Sequence, residues 1–310
     1  MKSVGWVDSP EFDLHVNGPG HPERPERLLA VRNGLAVSHL DARLHLEPAR
    51  PVERALLEHV HPAPYVRTVE RLCAAGGGRL DADTAVVPAS WEAALKSAGA
   101  VTQAVANVLA GTWDRAFCSV RPPGHHATPE RAMGFCLFGN AALGAQAALE
   151  GGLRRVAILD WDIHHGNGTQ AIFWERSDVL YASWHQYPFY PGTGRADEIG
   201  AGEGKGFTVN CPFPAGAGES EYLSAWDERI RPALDRHQPE LVIISAGFDS
   251  DRRDPLGGHT LTASSFEKLS SRVVAWADHN CRGRVVSVLE GGYSLEALEE
   301  DVAVHVATLL

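Results

Sequence analysis

The chain of 310 residues has no apolar stretch approaching the roughly eighteen residues of a membrane span, so no transmembrane helix is expected. Positive charge is in deficit. The formal net charge is -11 at pH 7, which disfavours nucleic acid and anionic membranes as partners because both are negative. A cationic substrate stays open. Cysteine is sparse and unpatterned: Cys73, Cys118, Cys136, Cys211 and Cys281 are odd in number and include no C-x-x-C pair. That spacing predicts reduced thiols in a cytoplasmic protein, neither a disulfide framework nor a cysteine zinc site. Met1 to Pro10 lacks a basic region leading into an apolar run, so no signal peptide is expected. Repeats, low-complexity segments and linkers are also missing, and residues 1–310 read as one domain.

What is present is ample core material, with 44% hydrophobic residues. Short β-rich runs at Ala116–Val120, Val156–Asp160, Val179–Ser183, Leu241–Ala246 and Val285–Leu289 alternate with helical patterns. The helices are expected at Pro25–Val37, Pro62–Ala75, Ser90–Ala110, Phe135–Leu149, Thr262–His279 and Leu295–Leu310. Such alternation predicts an α/β domain with a mostly parallel central sheet flanked by helices. Polar or glycine-rich segments follow these strands: Arg121–His126, Asp160–His165, Trp184–Gly194, Gly247–Gly258 and Glu290–Tyr293. Open α/β sheets bind ligands outside the carboxyl ends of their strands, so these segments imply one shared site.

Asp160-Trp161-Asp162-Ile163-His164-His165 begins as a strand, whose alternate side chains would put Asp160, Asp162 and His164 on one face. An Asp and a His two residues apart can grip one ion, and a catalytic zinc site usually takes three protein ligands. Asp249, after an apolar strand, is the best third candidate. Alone, such an Asp-x-His is more often a solvated turn; the neighbouring segments tip the balance toward metal. Adjacent imidazoles at His125 and His126 follow a Pro-Pro-Gly turn and can divide proton-transfer tasks, with Asp160 and Asn167 as orienting partners. Tyr293, after Gly291 and Gly292, can donate to a developing oxyanion.

Together these residues resemble the zinc-dependent histone deacetylase superfamily, which includes acetylpolyamine amidohydrolases. The resemblance spans nearly the whole chain, from His21-Pro22-Glu23-Arg24-Pro25-Glu26-Arg27 through Gly134-Phe135-Cys136 and Tyr190-Pro191-Gly192-Thr193-Gly194 to Glu290-Gly291-Gly292-Tyr293. It implies the arginase/deacetylase type of α/β fold. By position it implies Asp162, His164 and Asp249 as ligands of one zinc ion, His126 as general base, His125 as its electrostatic or acid neighbour, and Tyr293 as the group polarising the amide carbonyl. Gly134, Phe135 and Tyr190 would wall the channel for the substrate's methylene stem. A structural potassium would involve Asp160, Asp162, His164, Ser183 and Trp184, and a second monovalent site Phe173, Arg176, Val179 and Phe207.

Asn167, behind the second histidine, resembles the class II branch. Leu256 stands where polyamine-specific relatives carry a gatekeeper glutamate, which favours acyl-lysine-type substrates over N-acetylpolyamines. Asp83 is either a turn residue or a rim acceptor for a substrate backbone. The expected reaction is hydrolysis of an N-acyl amine. Alternatives are an N-acetylpolyamine deacetylase, a catalytically silent acyl-lysine-binding regulatory protein and, ranked lowest, an arginase-like enzyme. The last would need two metals and more carboxylates than His165 and Asn167 leave room for.

Overall fold

The computed structural model describes residues 2–310. Its centre is an eight-stranded sheet whose seven pairings are all parallel. In chain order its strands are β1 (Val4–Asp8), β2 (His45–Pro48), β5 (Arg115–Cys118), β6 (Val156–Asp160), β7 (Val179–Gln186), β8 (Thr208–Phe213), β9 (Val242–Ala246) and β10 (Val285–Leu289). Their spatial order is β2-β1-β5-β10-β9-β6-β7-β8. The last two strands therefore insert between β5 and β6, and the strands ahead of the five polar segments become contiguous neighbours. A parallel sheet puts all carboxyl ends on one edge, so topology alone gathers those segments. A separate antiparallel ribbon, β3 (Gly78–Arg79) with β4 (Ala85–Val86), carries Asp83 on its connecting turn.

The inner part of the sheet is covered on both faces, and β5, β6, β7, β9 and β10 are buried along their whole length. That explains their near-continuous apolar runs, which strands covered on both sides require. Helices α1 (Glu26–Val37), α9 (Ala263–Asn280) and α10 (Leu295–Leu309) pack together in one layer. Helices α2 (Arg54–Val60), α4 (Ser90–Ala110) and α5 (Asn140–Glu150) form another, and α3 (Ala63–Ala74) leans on α2 and α4; α6 (Asn167–Phe173), α7 (Glu219–Ala225) and α8 (Arg231–His237) are short. Both outer strands end in or near a proline. Ala49 N–H donates to Asp8 O and Tyr187 N–H to Phe213 O, which fixes the ladder parity. Pro48 in β2 and Pro212 in β8 therefore occupy outward-facing positions, where neither has an N–H to offer.

Two expected element boundaries need correction. The helix expected over Phe135–Leu149 begins only at Asn140. Residues 135–139 form a loop because Gly134 and Phe135 both adopt left-handed backbone, with φ of 55° and 68°. This loop is tied down by Phe135 N–H donating to Thr84 Oγ1 at 3.1 Å. The third strand continues past Ser183 to Gln186, so Trp184 lies within β7 instead of after it.

Candidate active site

β6 ends at Asp160, and Asp162 and His164 lie in the turn beyond it, so the expected alternation on one strand face does not apply. Backbone capping shapes this turn: Asp160 Oδ1 accepts from Asp162 N–H at 3.2 Å, and Asp162 Oδ1 from His164 N–H at 2.9 Å. The Asp160 side chain then turns away from the other two, with its Oδ2 meeting His125 Nδ1 and the Tyr181 hydroxyl, each at 3.1 Å.

His164 Nδ1 lies 3.1 Å from Asp162 Oδ1 and 3.0 Å from Asp249 Oδ2. One ligand atom from each of Asp162, His164 and Asp249 lies within 4.8 Å of the others. Both aspartates are fully buried. Their other oxygens are occupied, Asp162 Oδ2 by Gly291 N–H at 2.7 Å and Asp249 Oδ1 by Ile163 N–H at 2.9 Å. The remaining oxygens converge on a ring nitrogen that carries at most one proton. A buried pair of carboxylates with so little compensation is costly, and a divalent cation among the three donors would satisfy all of them. Burial opposes charge on His164, yet its contacts with Asp162 and Asp249 carry the imidazole pKa up to about 10. The donor set thus fits a metal ion.

Beside this cluster, the His125 and His126 rings lie 4.0 Å apart. His126 Nδ1 meets Asn167 Oδ1 at 2.8 Å. A carbonyl oxygen only accepts, so Nδ1 holds the proton and Nε2 keeps its lone pair. Burial pushes the His126 pKa well below the usual histidine value, and charge on His125 and His164 acts in the same direction. Burial would discharge His125 as well, but the Asp162 and Asp160 carboxylates hold its pKa well above that value. The adjacent imidazoles are thereby driven apart, as an acid–base pair requires.

These groups open into a cavity of about 240 Å³ lined by Asp83, His126, Gly134, Phe135, His164, Phe189, Tyr190, Leu256 and Tyr293. Its walls are aromatic. Phe135 meets Tyr293 edge-on at 5.9 Å, Tyr190 meets His126 at 5.1 Å, and Phe189 stacks on His164 at 5.3 Å. Gly134 admits no side chain, because a Cβ there would lie 2.3 Å from His126 Cδ2. Asp83 Oδ1 already accepts from Gly134 N–H at 3.2 Å and from Thr84 Oγ1 at 2.8 Å, so the residue helps to shape the wall. Burial raises the Tyr293 phenol well above its ordinary pKa, leaving it a proton donor. The Arg27 guanidinium lies 4.9 Å over its ring.

The residues expected around monovalent ions are placed as follows. Asp160 and Ser183 are register neighbours on β6 and β7, with Trp184 next along β7. Ser183 Oγ bonds His185 Nδ1, and Trp184 Nε1 donates to Tyr222 O. Phe173 and Arg176 precede β7, which starts at Val179; the Phe173 carbonyl accepts from Arg176 N–H and the Phe207 carbonyl from Tyr181 N–H.

Sequence reasoning passed over several residues. Phe189 sits within Tyr187-Pro188-Phe189-Tyr190-Pro191, where two aromatics in tandem could have signalled a double wall. Glu290 was read only as part of a motif. Its Oε2 accepts from Gly124 N–H at 2.7 Å and His125 N–H at 3.1 Å, which holds the histidine turn in place. Arg27 pairs with Glu23 four residues before it and donates to Glu290 O and Gly292 O, distant carbonyls that no local pattern announces.

The Histone deacetylase domain family matches residues 21–309. A histone deacetylase-like amidohydrolase of Pseudomonas aeruginosa is 44% identical over 292 residues, covering 94% of this chain and 75% of that protein. A probable deacetylase of Archaeoglobus fulgidus is 42% identical over 296 residues, covering 94% of this chain and 82% of its own. The crystal structure of the HDA15 HD domain superposes with a TM-score of 0.95 at 36% identity, covering 99% of this chain and 88% of that one. With a parallel sheet of matching architecture behind it, the chain belongs to the histone deacetylase family, and its reaction class is the hydrolysis of amide bonds.

Proposed function

We propose that residues 1–310 act as one catalytic domain removing acetyl or other acyl groups from lysine-type amines, with one zinc ion held by Asp162, His164 and Asp249. The observation that carries this is the convergence of those three donors beside the His125–His126 pair, beneath an aromatic channel. When bound, the ion supplies Lewis acidity toward the amide carbonyl and the attacking water. The remaining work falls to the chain. His126, oriented by Asn167, accepts the proton that water loses on adding to the carbonyl carbon. The Tyr293 phenol donates to the tetrahedral oxyanion. His125, oriented by Asp160 and held protonated by the Asp160 and Asp162 carboxylates, is the acid of the pair, and a protonated histidine returns a proton to the amine nitrogen as the C–N bond breaks. The acid and the free amine then depart.

Phe135, Tyr190 and Phe189 suit a methylene stem, and Leu256 offers no salt bridge to a distant ammonium, which favours acyl-lysine over acylpolyamine. Asp83 at the mouth suits a substrate backbone N–H. We also assign a structural potassium to the corner of Asp160, Asp162, His164, Ser183 and Trp184, and a second monovalent ion to Phe173, Arg176, Val179 and Phe207. Five free, buried cysteines support a cytoplasmic setting.

Chelation followed by metal titration tests the metal centre. Activity should vanish and return with one equivalent of zinc per chain, whereas tight uptake of two manganese ions would sink the mononuclear reading. A turnover panel of acetyl-lysine peptides, long-chain acyl-lysine peptides and N-acetylpolyamines tests the substrate, and preference for the polyamines would refute the Leu256 argument.

A further inference from the structure

Gly291 and Gly292 precede Tyr293, the latter at φ 118°, and α10 does not begin until Leu295. The glycines are held by Asp162, Phe248 and Arg27, and Arg27 and Phe135 contact the Tyr293 ring. The backbone of Tyr293 itself is held from another loop. Asp254, in the segment after β9 and only 7% exposed, directs Oδ2 at the N–H groups of both Tyr293, at 2.6 Å, and Ser294, at 3.0 Å. Its Oδ1 accepts from Leu256 N–H at 2.9 Å. Its own N–H donates to Asp251 O at 2.9 Å, which fixes the carboxylate from behind. Tyr293 and Leu256 line the same cavity from these separate loops.

We propose that Asp254 is a positioning residue: its carboxylate sets the Tyr293 phenol relative to the channel wall at Leu256 and so governs how well the oxyanion is met. This deepens the reading of Tyr293 given above and rests on it. Asp254 does not line the cavity. A hydrogen bond that orients a catalytic group acts on turnover more than on binding, because ground-state contacts along the channel survive small displacements of the phenol.

The test is a double-mutant cycle on the zinc-loaded protein. Asp254→Asn, which keeps the shape but can accept at only one end, should lower kcat by about ten- to a hundredfold while KM moves less than about threefold. In a Tyr293→Phe background the same substitution should change kcat by less than about twofold, because the phenol it positions is gone. Melting temperature and zinc content are measured on each protein. If Asp254→Asn does not fold, Asp254→Glu, which keeps the charge but displaces the carboxylate, takes its place in the same cycle. Full additivity of the two losses, or an unchanged kcat in Asp254→Asn, overturns the assignment of Asp254 alone. A Tyr293→Phe protein that turns over normally removes the reading of Tyr293 on which it stands.

Discussion

His305 lies wholly inside the protein, with Ser270 Oγ at 2.7 Å from Nδ1, Ser287 Oγ at 2.8 Å from Nε2, and the Trp161 ring 5.4 Å away. Burial pushes its pKa down from 6.5 to about 3. The unfolded chain therefore takes up this proton first as pH falls, and the stability present above pH 6.5 is lost progressively below it. At pH 5 the cost from this residue is about 2 kcal/mol. Urea unfolding of the parent and of His305→Gln should thus converge by about that amount between pH 7 and pH 5. Parallel curves would mean that the imidazole is not held neutral. Gly291 offers a second test at this scale. A Cβ there would sit 2.2 Å from Asp249 Oδ2 and 2.5 Å from Asp162 Oδ2. Gly291→Ala should bind zinc far below stoichiometry by metal analysis while keeping the parent's circular dichroism. Stoichiometric metal would show that the carboxylates can move aside.

Among the elements, the segment before α1 matters most for the active edge. Glu23 is fully buried and pairs with both Arg121, just after β5, and Arg27 of α1, whose guanidinium reaches the carbonyls after β10. Removing the carboxylate strands two buried cations, so Glu23→Ala should lose about 3–5 kcal/mol in chemical denaturation. A loss under 1 kcal/mol would mean that water replaces the carboxylate. The central strands β6, β9 and β10 were legible in the sequence because burial on both faces leaves an unbroken apolar run. β2 was not, since it is an edge strand with largely exposed residues, and β8 carries Asn210 and Pro212 inside its run. The loop at 135–139 misled for a different reason. Phe135 serves the channel and Leu137 and Phe138 the core, so their apolar spacing reports tertiary contacts and not a helix face. The pairing of His126 with Asn167 and of His125 with Asp160 could be anticipated from the turns that carry them. The Asp254 contact could not, because it joins loops 39 residues apart through backbone N–H groups that any sequence possesses.

Among the described residues one hydrophobic cluster runs from Val4 to Leu309, so the sheet and its helices share a single core. A metal ion would tie the ends of β6 and β9 together at the edge of that cluster. Saturating zinc at about a hundred times its dissociation constant should add about 2.7 kcal/mol, and chelation should lower the melting temperature by several degrees. An unchanged melting temperature would imply that the ligands are equally ordered, and equally content, without the ion. No helix among the described residues is long and apolar enough to cross a membrane. At the two margins of the sheet, Pro48 and Pro212 leave gaps in the outward row of donors. A second chain laid alongside either margin would find its zipper missing a tooth. Crowding at high concentration should therefore not extend the sheet into a filament, and its width stays capped at eight strands.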